Sequence, residues 1–453
     1  MFRRIEHLIH GVTRTYLLRW FYISSIIGII TGTLVWILGK TTHLILEHTI
    51  LPLLEEHVRS LRICTFNVDV FLKLFIALLV GHFLSYLIVS KVCEEARGSG
   101  CDLAFYNYSG RRYLFRLRVP FMKVIATIPT LGLGASVGKE GPAVLIGAST
   151  SSLAERLFRL DLRDLKVAYI AGISAGISAA LSSPLGGTVF GIEFLRVYEI
   201  ELEILEVLYP CLVASVASYL TSKLLSLGSL VPEIHVAINY SALTLLMPNV
   251  VLAFIVLGVV VGFFARIYAE VYYLFKILFF RYRYSLIIPP LVAALAVAII
   301  GTISPLSITT GYDWLNDLLS ILTSVNNVTY VCSFVLATMF VAIILKILAT
   351  SITIASGSSG GMIAPTIVTG GYIGVLTYLA IARFLTVPHA LLPALTIAGA
   401  ATLLGCVYRV PISAILILSG VTETWPLTPL VALSMAIAYL IAGHWTLHPK
   451  FKH

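Results

Sequence analysis

The stretch GLGASVGKEGP, residues 132–142, places two charged residues, Lys139 and Glu140, side by side in a very apolar chain. Glycines stand on both sides of the pair, and Pro142 closes the stretch. Proline is favoured in the first turn of a helix, where its missing N–H costs no hydrogen bond, and glycine lets another group approach the backbone closely. The stretch therefore predicts a helix that begins at the two charges.

The composition of the whole chain is that of an integral membrane protein. Of its 453 residues, 58% are hydrophobic and 12% are charged, whereas soluble domains carry roughly 25% charged residues. A helix crosses the bilayer core with about 20 apolar residues. Runs of this kind cover residues 20–39, 70–90, 119–137, 207–228, 248–265, 286–303, 330–349, 371–388 and 427–443.

Shorter apolar stretches are interrupted by Gly or Pro. They predict half-spanning helices that pack inside protein, where irregular backbone is tolerated at membrane depth. These stretches cover residues 143–158, 167–181, 184–195, 391–407 and 411–421.

The basic residues indicate an orientation in the membrane. The net charge of +9 is scattered over loops and ends, which argues against a nucleic-acid partner and favours anchoring at an anionic lipid surface. Lys and Arg are enriched on the cytoplasmic side of membrane proteins. We therefore expect a multi-pass protein of the cell membrane with both termini in the cytoplasm, because basic residues flank both ends: Arg3, Arg4, Arg14, Arg19, Lys450 and Lys452.

Two blocks of sequence occur twice in the same order. GASVGKEGPAVLIG (134–147) matches GSSGGMIAPTIVTG (357–370) at an offset of 223, and AGISAGISAALSSP (171–184) matches AGAATLLGCVYRVP (398–411) at an offset of 227. This pattern indicates an internal duplication. The spacing leaves open whether the two halves are parallel or inverted, although an odd number of spans in each half would invert the second.

Three glycine-rich turns predict an anion site. The turns at 138–142 and 360–365 each precede an apolar helix, and RGSGCD (97–102) adds the hydroxyl of Ser99. The first N–H groups of a helix have no partner inside it, and the helix dipole adds positive potential at that end. Small residues also serve close helix packing, but three such turns, two of them related by the repeat, favour an anion pathway.

In these glycine-rich motifs the sequence resembles the CLC family of chloride channels and chloride/proton exchangers. The motifs that carry the resemblance are GSGCD (98–102), GKEGP (138–142) and GGMIAP (360–365), supported by SSPLGGTVFGIEF (182–194) and YRVPISAILILSGVTE (408–423). The likeness extends over about residues 20–448.

The resemblance implies an all-α membrane fold with many tilted and half-spanning helices. Residues 1–453 would form a single CLC membrane domain of two inverted repeats, at about 20–228 and 248–448. It also implies a homodimer with one anion pathway per subunit. The regulatory CBS domains of the family are not expected, since few residues follow the last predicted span.

The resemblance also assigns site residues. Glu140 corresponds to the gating glutamate, whose carboxylate competes with anions for a pore site and leaves it when protonated. Lys139 is expected to have a structural or electrostatic role. The chloride-binding positions are Ser99, Gly361, Met362, Ile363 and His448, and the remaining pore-motif positions are Gly98, Gly100, Gly138, Gly141, Pro142, Gly360 and Pro365.

Two positions depart from the family pattern. Phe194 stands where the exchangers carry an inner proton-relay glutamate, and Glu193 is its neighbour, about 100° away on a helix. The downstream glutamates at 199, 201 and 203 suggest a solvated helix end or a different proton route. His448 stands where the family places a pore tyrosine, and a histidine at the membrane surface is an equally good interpretation.

The sequence therefore favours passive chloride conduction gated by Glu140, because the usual inner relay is missing. The alternative is proton-coupled chloride/proton exchange. An intramembrane enzyme is disfavoured, since the chain contains no HExxH motif or evident Ser/His pair. Chloride and similar anions, with protons under the alternative, are the expected partners, and no catalytic residue, metal or cofactor is expected.

Overall fold

The computed structural model describes residues 14–59, 67–195, 204–226, 234, 238, 247–283, 285–324, 333–443 and 447. This part of the chain is almost entirely helical. The first half contains α1 (Arg14–Arg59), α2 (Val68–Lys91), α3 (Cys101–Ser109), α4 (Val119–Gly132), α5 (Glu140–Phe158), α6 (Leu162–Leu181), α7 (Pro184–Phe194) and α8 (Ile204–Leu225). The second half contains α9 (Pro248–Phe280), α10 (Ile288–Ile303), α11 (Tyr312–Ser324), α12 (Ser333–Ala355), α13 (Ile363–Ile381), α14 (Leu391–Tyr408), α15 (Pro411–Val421) and α16 (Thr428–Ala442).

Local sequence signals explain where several helices begin. Asn67 caps α2, because its side chain accepts a hydrogen bond from the amide of Asp69 at 3.0 Å. Asp161 caps α6 in the same way, accepting from the amide of Asp164 at 2.7 Å. Prolines occupy the first turns of α7, α9, α10 and α15, where no helical hydrogen bond is lost.

The lengths of the helices correct some of the predicted spans. Among the described residues, nine helices are long and apolar enough to cross a membrane, whereas α4 and α10, predicted as spans at 119–137 and 286–303, are shorter. Conversely, α6 and α14, predicted as half-spanning at 167–181 and 391–407, are long enough to cross and are enclosed by protein. Their Gly and Ala residues permit close packing rather than interrupting the helix.

The predicted span at 371–388 also differs from the structure, where α13 begins at Ile363. Pro365 lies in its first turn, so the helix begins at the predicted glycine-rich turn of residues 360–365 and not at residue 371.

The same helix crossings occur in both halves of the molecule. In the first half α5 crosses α6 where Gly147 meets Gly172, so closely that a β-carbon on either glycine would collide with the carbonyl of the other. In the second half α13 crosses α14 at Gly370 and Gly399 in the same manner. These four glycines are matched by the two sequence blocks, so the repeat is present in the packing as well as in the sequence.

Candidate functional site

The two halves meet at the backbone of Gly138 and Gly361. The amide of Gly138 donates to the carbonyl of Gly361 at 2.8 Å, and the amide of Gly361 donates back to the carbonyl of Gly138 at 2.7 Å. The two segments run antiparallel at this bridge. Because α5 begins at Glu140 and α13 at Ile363, just beyond the bridge, the amino-terminal ends of two helices from opposite halves lie side by side.

The third glycine-rich turn joins this bridge. The amide of Gly360 donates to the carbonyl of Gly98 at 3.2 Å. A β-carbon on Gly141 would lie 2.7 Å from the Cα of Gly361 and 2.8 Å from the carbonyl oxygen of Ser99, so only glycine fits there. The three turns predicted from sequence therefore converge on one place.

The donors at this place suit a small anion. Ser99 is buried, and its hydroxyl lies beside the Cys101 thiol, a weak hydrogen-bonding group, and bonds to no nitrogen or oxygen within the part of the chain that the structure describes. Met362 and Ile363 are buried at the N-cap and first position of α13, where backbone amides have no partner inside the helix. The amide of Gly361 is already engaged by Gly138, which leaves Met362 and Ile363 to supply the donors of that turn.

Glu140 is the first residue of α5 and is fully buried. Its carboxylate lies against Gly138, in the space that a β-carbon on that glycine would occupy. The same space is bounded by the methyl group of Ala364, in the first turn of α13. A carboxylate is stabilised at a helix amino terminus by the same amides and dipole that attract an anion. Glu140 therefore lies between the two helix ends, where an anion would be attracted.

The other residues of the motifs shape the turns. Gly98 and Gly100 have positive φ angles of 66° and 85°, which favour glycine. Pro142 packs against Gly361, whose missing β-carbon would lie 2.9 Å from the proline Cδ. Lys139 extends toward α1, where a β-carbon on Gly39 would lie 3.7 Å from its Nζ atom.

Phe194 is buried in an aromatic cluster. Its ring centroid lies 5.2 Å from that of Phe190, on the same helix, and 6.0 Å from that of Phe105 on α3. The position at which exchangers carry a relay carboxylate is therefore filled by three packed rings.

The neighbouring Glu193 joins the two halves instead. Its carboxylate accepts hydrogen bonds from the amide of Ile412 at 3.0 Å, from the amide of Ser413 at 2.8 Å and from the Ser413 hydroxyl at 2.5 Å. It thus caps the amino terminus of α15 from α7. This capping role was not predicted from the sequence.

His448, predicted as a chloride-binding residue, and the glutamates at 199, 201 and 203 lie outside the described residues. Within the described residues, no group of three or more His, Cys, Asp or Glu side chains is arranged to hold a metal ion.

Two buried lysines that were not predicted from the sequence bond to backbone carbonyls, one in each half. The Nζ atom of Lys123 donates to the carbonyls of Ala96 at 3.0 Å and Gly98 at 2.6 Å, which fixes the turn that carries Ser99. Lys346, in the second half, donates to the carbonyls of Ile308 at 3.1 Å and Thr309 at 2.9 Å. The two lysines are 223 residues apart in the sequence, the same offset that relates the two glycine motifs. The internal repeat therefore pairs them and could have identified them from the sequence.

Two hydroxyl pairs obey the same offset. Thr127 pairs with Ser359 at 2.8 Å, and Ser136 pairs with Thr350 at 2.9 Å. Thr350 lies 223 residues after Thr127, and Ser359 lies 223 residues after Ser136. The first-half residue of each pair therefore corresponds in the repeat to the second-half residue of the other pair. Each half therefore supplies one Thr and one Ser to the contact, as two inverted halves around a local two-fold axis require.

Comparison with known proteins agrees with this geometry. Residues 81–443 match the family model described as voltage gated chloride channel. The H(+)/Cl(-) exchange transporter ClcA of Salmonella paratyphi A is 24% identical over 417 residues, which are 90% of this chain and 81% of that relative. A chloride/fluoride channel protein of Pseudomonas syringae pv. tomato is 30% identical over 135 residues, 30% of this chain and 28% of its own.

Solved structures share the fold. A crystal structure of a CLC-type fluoride/proton antiporter superposes with a TM-score of 0.73 at 22% identity and covers 96% of this chain and 98% of its own. A slow cyanobacterial Cl-/H+ antiporter superposes with a TM-score of 0.71 at 18% identity and covers 94% of both chains. The expected all-helical membrane fold of two inverted repeats is thereby confirmed.

Proposed function

The chain belongs to the CLC family of voltage-gated chloride channels and exchangers, and from this membership we propose that it exchanges chloride for protons across a membrane. Anion transport is common to the family. Coupling to protons is the further step of the proposal, and Glu140 is its central residue.

The observation that carries the proposal is the position of the Glu140 carboxylate beside Gly138, at the meeting of α5 and α13. As an anion, this carboxylate is held by the electrostatics that would hold chloride. Once protonated it loses that attraction, and chloride takes its place. Protonation of Glu140 thus frees the site that chloride then occupies. Proton binding and chloride binding are linked at one site, as coupled exchange requires.

The relatives support exchange better than the passive conduction that the sequence favoured. The exchange transporter of Salmonella matches nine-tenths of the chain, whereas the channel protein of Pseudomonas matches less than a third. The argument for passive conduction was that Phe194 removes an inner relay. It weakens if protons reach Glu140 by another route.

Passive chloride conduction stays the second candidate because of one observation. Phe194 packs against Phe105 and Phe190, and Glu193 is committed to the cap of α15, so neither offers a proton acceptor at the usual inner position. Under this candidate Glu140 still opens and closes the pathway, but proton movement is not tied to chloride movement.

The proposal also includes the location of the protein, its oligomeric state and its ion selectivity. We place the protein in the cell membrane with both termini in the cytoplasm, as a homodimer with one pathway per subunit, and we keep His448 as a proposed chloride-binding residue. Chloride is the leading ion, with bromide and nitrate as further substrates, because the motif Gly98–Ser99–Gly100 is retained.

The test is the reversal potential of the purified protein in liposomes under a fixed chloride gradient. Exchange predicts that changing the pH on one side shifts the reversal potential, and that chloride driven down its gradient moves protons uphill. A reversal potential that follows chloride alone would overturn exchange and establish the passive candidate. Liposomes without protein control for leak.

A further inference from the structure

An apolar groove opens on the surface of the second half, and none of the residues of the anion site lines it. It encloses about 200 Å³ between α9, α10 and α12. Its walls are formed by Phe275 and Phe279 near the end of α9, by Tyr282 in the turn after it, by Val292 and Ala296 of α10, and by Ile352 of α12.

The groove is open to lipid along its length. Leu278 and Tyr282 on one wall are 52% and 44% exposed, and Ile288 and Val292 on the other are 41% and 45% exposed. A lipid tail is as apolar as these side chains, so entering the groove gives no hydrophobic preference for one lipid over another. Any selectivity must come from the polar end of the groove.

That end is basic. Arg281 and Arg283 flank the groove residue Tyr282 in the turn after α9, and both are exposed. The guanidinium of Arg283 lies 4.2 Å above the ring centroid of Phe280, and the carbonyl of Arg283 accepts a hydrogen bond from the hydroxyl of Tyr86 at 2.8 Å. The turn that carries the arginines is therefore fixed to the helices around it.

The start of α10 adds positive potential at the same end. Ile288, its first residue, lines the groove, and Ser285 accepts from the amides of Ile287 at 3.4 Å and Ile288 at 3.2 Å. The first turn offers no free amide, because Pro289 and Pro290 lack an N–H and the amide of Leu291 donates to Ile287. The helix therefore contributes the positive end of its dipole, which favours negative charge there. Tyr86 also brings a third cation near, since the guanidinium of Arg97 lies 5.1 Å over its ring.

We propose that this groove is a binding site for a phospholipid with an anionic head group. One acyl chain lies between α9 and α10, and the phosphate rests against Arg281 and Arg283. Guanidinium groups bind phosphate oxygens in a forked, two-bond geometry that suits this arrangement. Basic pockets between transmembrane helices are the kind of surface that recognises anionic lipid head groups.

The site connects to the transport machinery through α12. Ile352 contacts the bound chain, and α12 ends at Ala355, directly before the turn that carries Gly360 and Gly361. A bound lipid therefore supports the helix that leads into the anion site. This inference does not depend on whether transport is coupled to protons.

The test uses photoreactive lipids in nanodiscs of neutral phosphatidylcholine. Phosphatidylglycerol or phosphatidylcholine with a diazirine in the acyl chain is added at equal trace amounts, and labelled peptides are mapped by mass spectrometry. We expect phosphatidylglycerol to label residues 275–296 about tenfold more than phosphatidylcholine, since each basic residue at the lipid surface favours an anionic head group. Equal labelling by the two lipids would overturn the proposal.

Variants separate charge from shape. Replacing both Arg281→Ala and Arg283→Ala should reduce labelling by phosphatidylglycerol to the level of phosphatidylcholine, whereas Arg281→Lys with Arg283→Lys should retain most of the preference. The matched control is Arg111→Ala with Arg112→Ala, a second exposed arginine pair, which should change nothing. Ala296→Phe should lower labelling by both lipids at this groove, and an unchanged pattern in the double alanine variant would refute the site.

Discussion

The carboxylate of Glu140 lies over the Cα of Gly138, two residues earlier in the chain, in the place where any other residue would carry its β-carbon. Because Gly138 has no side chain, the side chain of Glu140 can occupy this space. The backbone of Gly138 is also hydrogen-bonded to the backbone of Gly361. Residues of both halves therefore form the space that the carboxylate occupies.

Glu140→Gln should abolish the dependence of anion flux on pH. The amide keeps the shape of the side chain but carries no charge at any pH, so it no longer competes with chloride as an anion. We expect flux at neutral pH to rise several-fold and to become flat between acidic and neutral pH, measured as chloride efflux from liposomes. Glu155→Gln, at the far end of the same helix, is the matched control, and persisting pH dependence in Glu140→Gln would reject the gating role.

Gly138→Ala should displace the Glu140 carboxylate without changing any charge. The new methyl group would meet the carboxylate and also the Ala364 methyl at 2.5 Å, with an overpacking cost of about 1–3 kcal/mol. Since the carboxylate is the mobile partner, the pathway should open at neutral pH as it does in Glu140→Gln. In Gly360→Ala the added methyl meets Val137 instead, so a comparable loss of stability without altered gating is the expected contrast.

Glu193→Ala should destabilise the protein and leave proton coupling unchanged. Removing the cap of α15 leaves the amides of Ile412 and Ser413 without their acceptor, at a cost of about 2 kcal/mol. Thermal unfolding in detergent measures the loss, and the reversal potential in liposomes measures coupling. A variant with normal stability but altered coupling would show that Glu193 carries protons after all.

Lys346→Met and Lys123→Met should separate structural support from transport. Each substitution removes two hydrogen bonds to buried carbonyls, although the carbonyl of Gly98 keeps the bond from the amide of Gly360, so each should lower stability by about 1–3 kcal/mol. Only Lys123 holds the turn that carries Ser99, so only Lys123→Met should also weaken chloride transport. Equal transport defects in the two variants at matched protein recovery would contradict this division.

The pH dependence of stability should contain a contribution from Glu95, which lies in the turn before Ser99. Burial raises the pKa of this carboxyl, but hydrogen bonds from Arg116, from the backbone amide of Glu95 and from Cys93, together with the Arg116 charge, outweigh burial and hold the pKa below its usual range. The folded state therefore gains stability that is present above the unfolded pKa and is lost as pH falls through the folded one. Glu95→Gln should flatten the fall in thermal midpoint below about pH 5, and high salt should shrink the difference from the unmodified protein.

Much of this architecture was readable from the sequence because membrane helices leave few choices. Every backbone group in lipid must be satisfied internally, so apolar length predicts helices, and glycine before proline located the starts of α5 and α13. The convergence of Ser99, Glu140 and Gly361 followed from the resemblance, and the structure brings the three turns together.

Other features were hidden because they depend on which buried groups face one another. Glycine was read as a break in α6 and α14, where Gly172 and Gly399 instead permit helix crossings. The cap that Glu193 provides joins residues some 220 positions apart, which no local pattern reveals. The paired lysines were accessible in principle, since the offset of the glycine motif already pointed from Lys123 to Lys346.

The joint between the halves limits how the protein can move. Gly138 with Gly361, Gly98 with Gly360, and the two Thr–Ser pairs together place five hydrogen bonds across it. A transporter that separates its two halves to expose the substrate to alternate sides of the membrane would have to break all five hydrogen bonds in every cycle. Because these hydrogen bonds hold the two halves together, we expect a transport cycle in which the halves stay in contact and the moving part is the carboxylate of Glu140, which leaves the space beside Gly138.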